Sequence, residues 1–158
     1  MSVSRQHRKT LRTDAQALVE TCAGSNSRLA ARRITQFLDR EMSNLGFTVA
    51  QLGLMAHIAA MSDDTLGALA ERTGLEQSTL SRNLRTLEKE GLIEIAIVET
   101  DLRRRAVWLT ENGAHRLEAA IPVWRKANAR LAKVLSTDLA RRLADQTELL
   151  AQQRGPGI

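Results

Sequence analysis

The segment EQSTLSRNLRTLEKEGLIE, residues 76–94, constrains the fold more than any other stretch of this chain. At helical spacing Leu80, Leu84 and Leu87 form one apolar stripe, which predicts that this side of a helix packs on a core. Polar residues that can hydrogen-bond to a base edge or a phosphate occupy an arc centred roughly 120° away. We call them the polar arc: Gln77, Ser78, Ser81, Arg82 and Arg85. The fold must bury the apolar stripe, and the hydrogen-bonding groups of the polar arc must be satisfied by a binding partner or by solvent.

The segments before residue 76 predict two more helices. Residues 49–61, VAQLGLMAHIAAM, are apolar almost all round, so we expect a helix that is buried on most sides and capped by Thr48. Residues 65–74, TLGALAERTG, predict a short helix that ends at Gly74. A short helix, a glycine turn and a second helix have the order of a helix-turn-helix.

The segment after Gly91 predicts a β-hairpin. Residues 92–98 and 105–110 are β-type runs, and the charged stretch ETDLRR joins them. The complete order is that of a winged helix-turn-helix, in which the second helix of the turn lies in the DNA major groove. We therefore expect a mainly α fold with a small β wing.

In such a unit the polar arc would meet the bases. Arginine reads guanine through O6 and N7, glutamine suits adenine, and serine serves either. We expect Ser78 and Arg82 to lie closest to the groove. The alternative is the solvated face of an ordinary amphipathic helix, but the glycine turn before the helix and the charged hairpin after it favour DNA reading.

The hairpin predicts a second DNA contact. Its tip carries Asp101, Arg103, Arg104 and Arg105, and a wing laid along the duplex would bring an arginine into the minor groove. Strand alternation predicts that Arg103 and Arg105 project to one side and Arg104 to the other. Asp101 would repel phosphate unless it pairs with an arginine and fixes its direction. The alternative is a solvated turn.

The flanking segments predict long helices. Residues 1–13 are polar and basic, which predicts a flexible arm, and residues 14–45 follow a helical pattern with a break at 24–27. Thr110 is a candidate N-cap for a helix whose apolar residues have near-heptad spacing and which Pro122 should kink. A last helix follows STDL, with a stripe formed by Leu139, Leu143 and Leu150.

Composition excludes several classes of function. One cysteine permits no intrachain disulfide framework, and no apolar run approaches the roughly 18 residues of a membrane span, so we expect a cytoplasmic protein. The three histidines stand apart, and neither a metal-ligand spacing nor a phosphate-binding loop is present, so we expect no enzyme, no metal and no cofactor. The net charge of +5 is weak evidence, because residues 65–110 hold seven basic and seven acidic residues. The DNA interpretation therefore depends on where the arginines lie.

A family resemblance covers about residues 14–152. The motifs STLSRNLRTLEKEGLIE and TDLRRRAVWLTENGAHRLEAAIPVWRKA resemble the MarR family of bacterial transcription regulators. The resemblance implies a homodimer that binds double-stranded DNA at a pseudo-palindromic operator, usually as a repressor released by a small molecule. It implies a dimerisation domain from residues 14–47 and 111–153 around a DNA-binding domain from residues 48–110.

The resemblance also carries over individual residues. Ser78, Ser81 and Arg82 match the major-groove readers, and Asp101 and Arg103 match the wing pair. The sequence departs from the family pattern at Glu76, where Ser, Thr or Asp usually caps the reading helix, and it lacks the common proline before the wing aspartate.

The resemblance also implies a crevice, between the dimerisation helices and the reading unit, that binds an aromatic or lipophilic effector, and three residues are candidates for its lining. Arg32 would supply a counter-charge, His57 a hydrogen bond and Trp124 an aromatic wall. Each also has a purely structural interpretation: Arg32 as a solvated charge, His57 as a core residue and Trp124 as a residue that packs in the dimer.

Two alternative functions stay open. A winged helix can serve as a protein-interaction module, although such a module requires neither the polar arc nor the arginines of the wing. Cys22 could make the chain a redox-sensing regulator, but the chain has no tyrosine to hold a thiolate, and a small buried or interface residue is the better interpretation.

Overall fold

The computed structural model describes residues 3–62, 65–98 and 101–152, and side chains within 10–62, 65–97 and 105–150. The chain divides into two compact units, Met1–Phe37 and Leu38–Ile158. The elements confirm a mainly α fold with a small β wing: α1 (Val3–Thr21), α2 (Ala23–Glu41), a 3-10 turn (Ser43–Leu45), α3 (Val49–Ala60), α4 (Leu66–Thr73), α5 (Gln77–Lys89), β1 (Ile93–Val98), β2 (Asp101–Leu109), α6 (Glu111–Leu131) and α7 (Thr137–Gln152).

The first unit is more helical than the sequence pattern predicted. Helix α1 begins at Val3, inside the stretch 1–13 that we expected to be an arm, because residues 3–21 contain no glycine or proline and many good helix formers. The break between α1 and α2 lies at Cys22 rather than at 24–27. Helical hydrogen bonding resumes there at once, since the amide of Asn26 donates to the Cys22 carbonyl (3.0 Å), and Gly24 is thereby absorbed into α2.

In the second unit, the predicted apolar stripe of α5 is buried. Leu80, Leu84 and Leu87 are 5%, 4% and 0% exposed, and α5 packs beside β1. The largest fully buried side chains of the core come from several elements: Met42, Met55, Leu69, Leu87, Leu92, Ile93 and Val107. The core therefore joins α3, α4, α5 and the base of the wing.

Local capping fixes the start of α3. The Thr48 hydroxyl accepts from the Gln51 amide (3.2 Å), and the Gln51 side chain accepts from the Thr48 amide (2.8 Å), which is a capping box. Asp39 of α2 accepts from the Val49 amide at 2.7 Å. Thr48 is thus confirmed as the N-cap, and α3 is tied to the end of α2.

The burial predicted for α3 is only partly observed. One side is buried, but Ala56, His57, Ala59 and Ala60 are exposed in the single chain. They line a cavity instead of packing on another helix of the described chain.

The predicted hairpin is an antiparallel pair with Ile93 opposite Leu109 and Ile97 opposite Arg105. The register is irregular between Ile97 and Val98, and β2 already begins at Asp101. Asp101, Arg103, Arg104 and Arg105 therefore lie on a strand and not in the turn, because pairing continues past the run that apolar alternation alone had predicted. A single bridge between Thr65 and Ala106 attaches the start of α4 to β2.

A close backbone contact fixes the base of the wing against α6. Thr110 caps α6, since its hydroxyl accepts from the Gly113 amide (2.9 Å) and donates to the Gly91 carbonyl (2.7 Å). The Thr110 amide donates to the Leu92 carbonyl at 3.1 Å. A Cβ atom at Gly113 would lie 1.9 Å from the Leu92 carbonyl oxygen, so only glycine fits here. No helix among the described residues is both long and apolar enough to cross a membrane.

Gly113→Ala should therefore destabilise the protein by about 1–3 kcal/mol, because the added methyl group forces the α6 backbone away from Leu92. Chemical denaturation followed by circular dichroism measures the effect. The matched control is Gly67→Ala, also in the first turn of a helix, where a Cβ atom would meet nothing within 4 Å. We expect the control to be neutral or stabilising by up to about 1 kcal/mol. Equal stability of both variants would contradict the close contact.

Candidate nucleic-acid interface

The structure leaves the whole polar arc exposed on α5. Gln77, Ser78, Ser81, Arg82 and Arg85 all lie at the surface, beside the buried leucine stripe. None of these five side chains has a hydrogen bond or ion pair with any other residue that the structure describes. Their donors and acceptors are therefore available to an external partner.

The start of α5 lacks a side-chain cap. Glu76 occupies the N-cap position without a capping hydrogen bond, while its carbonyl accepts from the amides of Thr79 (2.9 Å) and Leu80 (3.0 Å). Glutamate is a poor cap, as the sequence indicated. Gln77 and Ser78 stand in this first turn.

The wing projects away from the core. Along β1, exposure rises from 1% at Ile93 to 55% at Ile97, and Arg105, opposite Ile97, is exposed. The side chains of Asp101, Arg103 and Arg104 lie outside the described residues, so their predicted roles stay predictions. Only their backbone placement on β2 is described.

One polar pair on the wing, Trp108 and Glu94, was not predicted from the sequence. The indole Nε1 of Trp108 donates to a carboxylate oxygen of Glu94 at 3.2 Å, across directly opposite positions of the strands. Identifying this pair requires the pairing register of the two strands, which the sequence pattern does not give. This contact ties the two strands together at the base of the wing.

A cavity of about 600 Å³ lies between α3 and α6. It brings together two of the three candidate ligand residues, His57 and Trp124, whereas Arg32 belongs to the first unit and is not part of its lining. The lining is apolar apart from the histidine and the indole N–H: Val49, Leu52, Gly53, Ala56, His57, Ala59, Ala60, Leu117, Ile121 and Trp124.

Two polar contacts hold α6 beside this cavity. Arg116 donates to the Leu45 carbonyl at 2.7 Å, and its guanidinium lies 5.4 Å from the centre of the Phe47 ring. Arg130 forms an ion pair with Glu41 at 2.7 Å. None of these contacts was predicted from the sequence, because they join segments that are distant in the chain.

Cys22 is half-buried at the junction of α1 and α2. A hydrogen bond from the Ser25 side chain lowers the pKa of the Cys22 thiol, the backbone of Ser25 and Gly24 and the charge of Arg28 act in the same direction, and burial opposes them. Within the described part of the chain, no three His, Cys, Asp or Glu residues come together as a metal site.

Comparisons with known proteins agree with this geometry. Residues 45–104 match the model of the MarR family. The transcriptional regulator MosR of M. tuberculosis, solved in complex with DNA, has a TM-score of 0.76 and 30% identity over 85% of this chain and 99% of its own. The structure of MarR has a TM-score of 0.66 over 83% of this chain and 94% of its own, and its 22% identity shows the fold alone.

Curated relatives match over a shorter span. An HTH-type transcriptional regulator of Bacillus cereus is 32% identical over 87 residues, which are 55% of this chain and 57% of that protein. The chain therefore spans little more than half the length of this relative.

Proposed function

The chain belongs to the MarR family, and on that premise we propose that it is a sequence-specific, DNA-binding transcription regulator. The observation that carries the proposal is the polar arc, which is exposed and unpaired among the described residues on the second helix of a helix-turn-helix. With 13 residues α5 is about 20 Å long, and the major groove, about 12 Å wide, admits a helix of this size. Such a regulator works in the cytoplasm, where its DNA lies.

Each residue of the polar arc has a role in this proposal. Arg82 pairs with guanine, and Ser78 and Ser81 approach base edges beside it. Gln77 suits adenine, while Arg85 reaches a base or a phosphate. The arginines of the wing enter the adjacent minor groove, which the exposed position of Arg105 supports. A protein-interaction module, the alternative, would have no need for this set of donors.

We propose further that the active form is a homodimer. None of residues 137–150 of helix α7 is buried in the single chain, and the exposed leucines of this stretch form an unpartnered apolar face: Leu139, Leu143, Leu149 and Leu150. A second copy is the occupant that family membership favours for this face. Two reading helices related by a two-fold axis match a pseudo-palindrome with half-sites about one helical turn apart.

The cavity between α3 and α6 supports a repressor that a ligand releases. Its volume of about 600 Å³ suits a small organic compound, and α3 also contacts α4 and the wing. Since the lining contains no lysine or arginine, a lipophilic aromatic compound that hydrogen-bonds to His57 fits better than a strongly charged one. Such a ligand must bind the arrangement that cannot bind DNA more tightly, or it shifts nothing.

Arg82→Ala should weaken binding to the operator by about 1–3 kcal/mol and relax specificity at one base pair per half-site. Arg103→Ala should weaken binding more evenly across sequences, because its partner is the backbone or the minor groove. Gel-shift titrations on operator and scrambled duplexes measure both effects. Arg125→Ala, at an exposed arginine of α6, is the matched control and should bind as the parent does. Unchanged affinity and unchanged salt sensitivity in both variants would refute DNA reading.

The effector proposal is testable through Trp124. In Trp108→Phe, which leaves Trp124 as the remaining tryptophan, we expect a small aromatic acid or phenol to quench emission and lower operator affinity in parallel. In Trp124→Phe, whose remaining tryptophan lies on the wing, emission should stay constant. A panel of such compounds that changes neither signal in the first variant would remove this class of effector.

The lowered pKa of the Cys22 thiol favours a second candidate, cysteine-based redox sensing. We nevertheless predict that Cys22→Ser binds operator DNA and responds to an aromatic effector as the parent does, because both proposed sites lie in the other unit. The measurement is operator affinity before and after mild peroxide treatment. Loss of binding in the oxidised parent, absent in Cys22→Ser, would establish the redox function instead.

A further inference from the structure

The net charge of the chain is concentrated at its N-terminal end. Residues 1–13 contain no acidic residue and four basic ones: Arg5, Arg8, Lys9 and Arg12. The rest of the chain has 19 basic and 18 acidic residues, so four of the five net positive charges belong to this short segment. Residues 65–110, which include the proposed reading helix and wing, have no net charge. Most long-range attraction for a polyanion must therefore originate outside the winged unit.

All four residues belong to the first three turns of helix α1. It begins at Val3, it has no acidic residue in its first turn, and the first carboxylate of the chain is Asp14. At 1.5 Å per residue, Arg5 and Arg12 are separated by about 10 Å along the helix axis. A DNA duplex carries about one negative charge per 1.7 Å of axis, so a segment of this length faces about six phosphates.

We propose that the first three turns of α1 form an accessory phosphate-binding element, whose cations bind the backbone of duplex DNA. The inference rests on the proposed function, and it adds a contact that carries affinity but no base specificity. Three of the four cations are arginine, which binds phosphate through two parallel hydrogen bonds.

The distribution of apolar residues favours DNA over a membrane surface as the partner. A helix that lies on a membrane needs an apolar face along the same turns as its cations. In α1 the exposed apolar residues Leu18 and Val19 follow the basic segment, Leu11 is a single apolar residue near its end, and among residues 1–10 only Met1 and Val3 are apolar. The basic turns therefore suit a hydrated phosphate backbone.

The test is the salt dependence of DNA binding. The full-length variant with Arg5, Arg8, Lys9 and Arg12 changed to Gln keeps helix propensity while it removes four charges. The matched control changes four other exposed cations to Gln, again three arginines and one lysine: Arg33, Arg40, Arg125 and Lys126. The probes are a random-sequence duplex of about three helical turns and vesicles that contain anionic phosphatidylserine.

Each phosphate contact contributes about −0.9 to the slope of log affinity against log salt. We expect the slope of the variant to be less steep by about 3.6 per protomer, so that the parent loses about 100-fold more affinity between roughly 50 and 200 mM salt. The control substitutions should change the slope by less than the contribution of one phosphate contact, about 0.9. Neither set of substitutions should change discrimination between operator and scrambled sequence.

Three results would overturn the inference. A parent and a variant with equal slopes would refute it and leave the proposed function intact. Equal slope changes in the variant and the control would refute it as well, because the change would then be a general effect of net charge. Vesicle binding that the variant loses, with an unchanged DNA slope, would assign the segment to membranes. A parent that binds no duplex at all would refute the proposed function itself.

Discussion

The burial of three leucines beneath α5 is the interaction on which the account depends. Leu80, Leu84 and Leu87 hold one side of the helix against the core, so the polar arc must face outward. At about 25 cal/mol per Å² of apolar surface, each buried leucine contributes about 1.5–3 kcal/mol, far more than a surface ion pair. The orientation of the polar arc is therefore set by packing, and its five side chains have no hydrogen bond or ion pair with other described residues.

The other elements of the second unit hold α5 and the core beneath it in place. Helix α3 packs against α4 and the wing on one side and forms the cavity with α6 on the other. The Thr110 cap and the close approach of Gly113 to Leu92 fix the start of α6 against the base of the wing. A compound in the cavity would thus act on elements that also position α5, which is the physical basis of the proposed release from DNA.

Features with a local cause were predictable from the sequence. The period of the leucines gave α5, and the caps at Thr48, Gly74 and Thr110 follow from side-chain chemistry within one turn. Features that depend on partners distant in the chain could not be predicted from the sequence. The continuation of β2 to Asp101 depends on pairing with β1, and the ion pair of Arg130 with Glu41 joins residues 89 positions apart.

The most direct test is selection of bound duplexes from a random-sequence library with the full-length protein. The account predicts enrichment of a pseudo-palindrome whose half-sites are about one helical turn apart. The same selection with Arg82→Ala should lose the preference at one base pair in each half-site and retain the spacing. A parent protein that enriches no sequence, or retains duplexes of every sequence equally, would contradict the claim that the exposed face of α5 reads DNA.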